Sequence, residues 1–499
     1  MRERFDVFAL DFSRRRQFFE FRFHKVLISR PKGQLPSLNA LSDQNPRQIA
    51  ARVLSQRRTG GEFTENLLET AVANARLSSA DRGLCQEIVY GVVRWQAALD
   101  WLIARKTSGR EQKLQLQNLL RLGLYQIFWL DKIPPHAAVH ETVELAKRLG
   151  FGPQAGFVNA VLRGCLRESD ETKKILAELK LSNPATGWSH PEWLVEKWRK
   201  QFGDEQTRQL LEWNNTLPKT YARVNTLKFR SSRGNEAQTE KNETEQSLLT
   251  SAATTELKDA GDLLARWREE NVEYDFFTPN WTGENLVFEL KSHPPLKSLG
   301  SFRDGWFYLQ DPGTLLAMRE LDPQPGETIL DLCAAPGGKT TFIAQLMKNE
   351  GKIVACDIAE ERLKLVRENC ARLGVTCVEP VSFSTFNLQP STFNRILVDA
   401  PCSNTGVMRR RVDLRWRVSP EEISRLQKAQ LDLLKLAATR LNPGGVLIYS
   451  TCSLEPEENS EVVKSFLAVD PNFKLESERQ LLPFADNVDG AYVARLKNH

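Results

Sequence analysis

Among 499 residues no two cysteines form a C-x-x-C pair; the eight stand at positions 85, 165, 333, 356, 370, 377, 402 and 452. That scatter excludes a zinc ribbon, offers no disulfide framework, and points to a reducing, cytoplasmic setting. No apolar run is long enough to cross a bilayer, and the first residues lack the apolar centre of a signal peptide, so no membrane partner is expected. A large charge excess is missing too. Lys and Arg number 68 against 63 Asp and Glu, and a net of +5 identifies no polyanionic partner by itself. Recognition of nucleic acid must rest on where the charges sit.

The length is that of about three domains. Residues 1–44 hold Arg14-Arg15-Arg16 and the phenylalanines 18, 19, 21 and 23, but Glu3, Asp6, Asp11 and Glu20 argue against an organelle transit segment, and a non-globular extension is expected. Residues 45–170 read as helices only. Asn45 is an N-cap with Pro46 behind it, and Leu84, Ile88, Val92, Trp95, Leu99 and Leu102 recur at helical spacing. Further apolar helices are predicted over 116–130, 136–149 and 156–166. Residues 181–306 read as a small α+β unit with a strand over 220–228 and a polar, disordered insertion over 231–257. From 307 to 499 short apolar strands (328–332, 352–356, 395–398, 446–449) alternate with helices such as 360–373 and 420–441. That alternation predicts an α/β domain with a mostly parallel, doubly wound sheet.

Four strand ends carry the chemistry. Pro336-Gly337-Gly338 lies in a strand-to-helix turn, where glycine lets the backbone approach a ligand and the helix start offers free amides to an anion. Asp357 ends the next strand, where a carboxylate accepts from ribose hydroxyls. A phosphate-binding Walker loop is the rival for Gly338-Lys339-Thr340, but its first glycine would fall on Cys333. Asp399-Ala400-Pro401-Cys402 and Ser450-Thr451-Cys452-Ser453 each close an apolar strand with a thiol. A free cysteine is ordinarily a small buried hydrophobe. Two of them on the ligand-binding rim of one sheet, beside a glycine turn, read instead as a reaction centre, since a thiolate is a strong nucleophile. Arg409-Arg410-Arg411 and Arg415-Trp416-Arg417 follow directly, and this interleaving predicts phosphate contacts with base stacking. Glu270-Asn271-Val272 resembles the glutamate motif of DNA cytosine methyltransferases, but it lies upstream of the turn on no matching strand end and is read as coincidence.

Asp331-Leu332-Cys333-Ala334-Ala335-Pro336-Gly337-Gly338-Lys339-Thr340, Asp399-Ala400-Pro401-Cys402-Ser403 and Ser450-Thr451-Cys452-Ser453 with Glu455-Pro456-Glu457-Glu458-Asn459 closely resemble the S-adenosylmethionine-dependent RNA cytosine-C5 methyltransferases. Ala138-Val139-His140-Glu141-Thr142-Val143 and 156–163 resemble the NusB-like RNA-binding domain, and the pairing is that of the bacterial 16S rRNA members. Arg223-Val224-Asn225-Thr226-Leu227-Lys228 and Ala494-Arg495-Leu496-Lys497 fit the same pattern. The resemblance implies a Rossmann-like methyltransferase domain at 307–499, a NusB-like bundle at 45–170 and an RNA-binding subdomain at 181–306.

It further implies Cys452 as the nucleophile on cytosine C6, Cys402 as the group assisting product release, and Asp399 near cytosine N3 and the exocyclic amine, with Lys339 in the catalytic set. Cys333, Ala334, Ala335, Pro336, Gly337, Gly338, Lys339, Asp357 and Asp399 would hold the cofactor, and no metal is implied. The family's usual Gly-Asp contact to adenine is absent from 378–385, where Glu379 is the one acidic substitute. Its usual His-Pro-Asp is Arg411-Val412-Asp413. Asp399 is expected to carry a proton, so that it stabilises the C6 adduct at N3. The substrate would be 16S rRNA before full subunit assembly, with no DNA partner and a monomeric enzyme. Two other readings stand beside this one: a non-catalytic RNA-binding assembly protein, which need not bind S-adenosylmethionine, and a tRNA cytosine-C5 methyltransferase.

Overall fold

The computed structural model describes residues 45–57, 61–228, 251–282, 286–386 and 392–499. The extension at 1–44 and positions 231–250 of the insertion lie outside them.

The first helix, Pro46–Gln56, starts as its sequence dictates: Asn45 accepts from the Arg47 amide at 2.8 Å, with Pro46 in the first helical position. The apolar run from Leu84 to Leu102 forms two helices, Ser79–Arg94 and Gln96–Lys106, because the chain bends at Trp95. Leu114–Trp129 is apolar on nearly every side and runs through the middle of the bundle. Pro135–Arg148 and Ala155–Arg167 pack around it, and Leu119, Leu122, Val139, Val158 and Leu162 form one core with them.

Four antiparallel strands follow: β1 (Thr220–Val224), β2 (Glu273–Phe276), β3 (Val287–Ser292) and β4 (Phe307–Leu309), in spatial order β2-β3-β1-β4. The helix Ser251–Glu269 covers this sheet by burying Leu263 and Trp267 against Phe288 and Phe307. The expected disordered insertion is therefore corrected at its end: 251–257 are the first turns of a helix whose apolar anchors come only later, at 260, 263 and 267.

The large sheet comprises β5 (Thr328–Leu332), β6 (Lys352–Asp357), β7 (Val378–Ser382), β8 (Phe393–Asp399), β9 (Leu441–Thr451), β10 (Phe473–Leu481) and β11 (Ala491–Asn498). Their order is β10-β11-β9-β8-β5-β6-β7, with β5 to β9 parallel and β10 and β11 antiparallel at one edge. The chain winds outward from β5 in one direction and returns through β8 in the other, so a topological switch lies between those strands. In such sheets ligands bind in the crevice beyond the carboxyl ends at that switch.

Candidate active site

Register sets the site. Leu332 pairs with Cys356 and Val398, and Val398 pairs with Tyr449. The next residue on each strand, Cys333, Asp357, Asp399 and Ser450, therefore stands in one row along the rim. The loops that follow carry Gly337, Cys402 and Cys452 into the crevice.

The turn after β5 is held by Asp357, whose Oδ2 accepts from the Ala335 amide at 3.1 Å, while Arg362 donates to the Ala335 carbonyl at 2.8 Å. Ala334 and Ala335 are buried and Pro336 is exposed at the lip. Gly337 has φ +100°, a backbone conformation that favours glycine, and a Cβ there would stand 3.2 Å from the Val366 Cα, a tight approach. Gly338–Leu346 starts directly behind it. Asp331 lies beneath the turn, fully buried; Thr340 donates to its Oδ2 at 2.6 Å, and its Oδ1 has no partner among the described residues. Burial pushes this carboxyl up to about 7, against the Thr340 hydrogen bond. Burial likewise pushes the Cys333 thiol well up, with Asp357 adding to it.

Lys339 reaches across from the helix to Asp399 Oδ2 at 2.6 Å, and Ser450 Oγ donates to Oδ1 at 2.9 Å. Burial works against the ammonium charge, but the adjacent Asp399 outweighs it and holds Lys339 above the ordinary range. Lys339 and Asp399 thus form one ion pair at the rim, between the glycine turn and the Cys402 loop.

The two thiols meet. Cys402 Sγ lies 3.3 Å from Cys452 Sγ, with Cys402 buried and Cys452 half-buried. The hydrogen bond to Cys452 and burial together push the Cys402 thiol well above its ordinary value, so it stays neutral. Sequence reasoning missed Asn404. Its backbone is left-handed (φ 60°), its Oδ1 accepts from Cys452 Sγ at 3.0 Å, and its Nδ2 donates to the Cys402 carbonyl at 2.5 Å. An Asn two residues past a candidate thiol, suited to that backbone, was the available signal. Gly406 donates to the Cys452 carbonyl at 3.0 Å, and a Cβ there would fall 2.7 Å from the Gly490 carbonyl.

One expectation is corrected, that of the basic cluster, and the acidic substitute Glu379 lies off the rim. Glu379 sits in the first half of β7, level with Val354, and pairs with Lys352 at 2.6 Å, away from the rim; the residue level with Asp357 is Ser382. The basic cluster is not an open phosphate surface. Arg409 pairs with Asp489 at 3.0 Å and stacks on Trp213, Arg410 pairs with Asp311 at 2.8 Å, and Arg415 is buried among backbone carbonyls. Trp416 donates to the Val93 carbonyl and Arg417 to that of Gly61; Arg411 is the exposed member. Guanidinium forks are suited to capping many carbonyls at once, and here they join helical bundle to catalytic domain.

Residues 318–497 match the family described as 16S rRNA methyltransferase RsmB/F, residues 44–167 match the NusB family, and 190–239 match the ferredoxin-like domain of RsmF/B-like methyltransferases. The chain is 34% identical over 474 residues to the probable ribosomal RNA small subunit methyltransferase B of Bacillus subtilis (strain 168), covering 90% of this chain and 98% of that protein. It is 34% identical over 466 residues to the ribosomal RNA small subunit methyltransferase B of Klebsiella pneumoniae, covering 91% and 98%. Among solved structures, that of PH0851 shares the fold with a TM-score of 0.66 at 24% identity, covering 92% of this chain and all of that one.

Proposed function

Since the chain belongs to the 16S rRNA methyltransferase RsmB/F family, we propose that the paired thiols at its sheet rim perform the covalent chemistry of that reaction. The enzyme transfers a methyl group from S-adenosylmethionine to C5 of a cytosine in 16S rRNA. Membership sets aside the readings as a non-catalytic assembly protein and as a tRNA enzyme.

The residues present fit the cofactor: Asp331 Oδ1 is buried without a partner among the described residues, Asp357 closes β6 at the turn, and the first-turn amides of Gly338–Leu346 lack intrahelical acceptors. Residues 333–339 with Asp357 and Asp399 would hold it. When bound, it supplies an electrophilic methyl group on a sulfonium.

Cytosine C5 is a weak nucleophile until a thiolate adds at C6. Cys452, the more exposed of the two thiols, makes that bond, and the base must leave its stack to reach it. Asp399 receives the exocyclic amine, and Lys339 brings the proton that stabilises the adduct at N3. After methyl transfer a base removes the C5 proton, Lys339 takes back the N3 proton, and the C5=C6 bond re-forms as the electron pair of the Cys452–C6 bond returns to sulfur. Cys402, 3.3 Å from the departing sulfur and held neutral, has the proton to give it.

The division into 45–170, 181–306 and 307–499 is part of the same reading, with the first two placing folded RNA by shape and phosphate position. The enzyme would act in the cytoplasm, as a monomer, on rRNA not yet fully assembled into the subunit.

The 3.3 Å thiol spacing carries this assignment. With a 16S rRNA fragment, Cys452→Ala is expected to give neither methylation nor adduct, while Cys402→Ala forms an adduct that resists denaturant and persists on gels. An adduct trapped by the Cys452 variant instead would reverse the two roles.

A further inference from the structure

One buried carboxylate touches both cysteine loops. Glu458 is fully buried in the short turn Pro456–Glu458 that follows the Cys452 loop. Its Oε1 accepts from the Ser403 amide at 2.8 Å and from Gln430 Nε2 at 3.1 Å. Its Oε2 accepts from Ser453 Oγ at 2.6 Å and from Ser403 Oγ. Ser403 directly follows Cys402, and Ser453 directly follows Cys452. Gln430 also donates to the Pro401 carbonyl at 2.9 Å, which fixes the other flank of Cys402. The backbone of Glu458 is anchored in turn, since Tyr449 Oη donates to its carbonyl at 2.5 Å.

The Ser403 amide and Gln430 Nε2 can only donate, so an oxygen must stand at the Oε1 position, and an amide in place of the carboxyl fits only with its NH2 group on the two serine hydroxyls, which must then turn round to accept. We propose that Glu458 is a positioning residue that sets the distance between the thiols of Cys402 and Cys452 by tying the residue after each to one rigid group. It touches neither substrate nor cofactor. Its effect falls on the step that needs both sulfurs together, release of the methylated base. The inference rests on the roles given above for those cysteines, but the spacing itself can be measured without the reaction.

Phenylarsine oxide bridges two neighbouring thiols, forming two As–S bonds as both thiol protons leave with the arsenical oxygen as water. Titrated into the full-length enzyme, it is expected to bind the wild type and to lose that binding in Cys402→Ala and Cys452→Ala. Glu458→Gln should weaken it about tenfold, because both serine hydroxyls must reverse to accept from the amide and the two loops are then held less firmly. The same variant should slow breakdown of the RNA adduct by about tenfold relative to its formation, while S-adenosylmethionine affinity by calorimetry stays at the wild-type value. Ser403→Ala and Ser453→Ala each cut one arm and should each produce part of the effect, which decides the matter if Glu458→Gln does not fold. Arsenical affinity unchanged in Glu458→Gln, or in both serine variants, overturns the brace. If the brace holds while the cysteine variants show no adduct difference, it is the assignment of the cysteines that fails.

Discussion

Asp331 shows how a cofactor turn costs its own protein stability. The carboxyl is fully buried with one oxygen unpaired, and its value is raised to about 7, whereas in an unfolded chain it titrates near about 4. The folded state therefore binds a proton that the unfolded state releases. The stability this gives is present below the unfolded value and is lost as pH rises from about 4 through about 7. Asp331→Asn cannot ionise and should escape that loss. Scanning calorimetry is expected to show the variant's melting temperature gaining on the wild type as pH goes from 5 to 8; parallel curves would refute it. Cys402 and Cys452 were legible because each follows an apolar strand. Asn404 and the Lys339–Asp399 pair were not, because sequence spacing says nothing about which side chains meet across separate loops.

At the scale of elements, register decides which residues share the rim. The parallel strands β5, β6 and β8 are buried on both faces and read as short apolar runs, so their ends were found within two residues. The edge strand β10, FKLESERQL, has its polar residues facing solvent and gave no such run. β7 is a second edge, and its polar sequence hid the fact that Glu379 falls three residues short of the rim. Glu379→Ala should accordingly leave S-adenosylmethionine affinity unchanged by calorimetry. It should cost no more than about 1 kcal/mol in stability, since its pairing with Lys352 is half-exposed on both sides. A clear loss of cofactor affinity would place Glu379 in the site after all.

Over the whole molecule, the arginines that the sequence offers as an RNA surface serve, Arg411 aside, as fastenings. Arg415 is fully buried and donates to the Arg94 carbonyl at 3.1 Å, the Ser189 carbonyl at 3.3 Å, the Asn214 carbonyl at 2.9 Å and Asn215 Oδ1 at 2.8 Å. Two residues earlier, Asp413 accepts from Arg57 at 2.5 Å and from the Thr64 amide at 2.6 Å, both in the helical bundle. The loop that begins at Cys402 thus ends wedged between the bundle and the helices Glu192–Phe202 and Asp204–Trp213. Charge density alone could not reveal this, because a guanidinium bound to carbonyls and one bound to phosphate have the same sequence signature. Arg415→Met keeps the length and apolar stem but strands several buried carbonyls, each worth about 1–3 kcal/mol when unpaired, with the avoided desolvation of a buried cation offsetting part of it. The remaining loss falls on the joint between units, not on either core. The wild type should unfold in one calorimetric transition and Arg415→Met in two, the earlier one belonging to the helical bundle. A single transition in the variant at the wild-type temperature would mean that the joint is carried by other contacts.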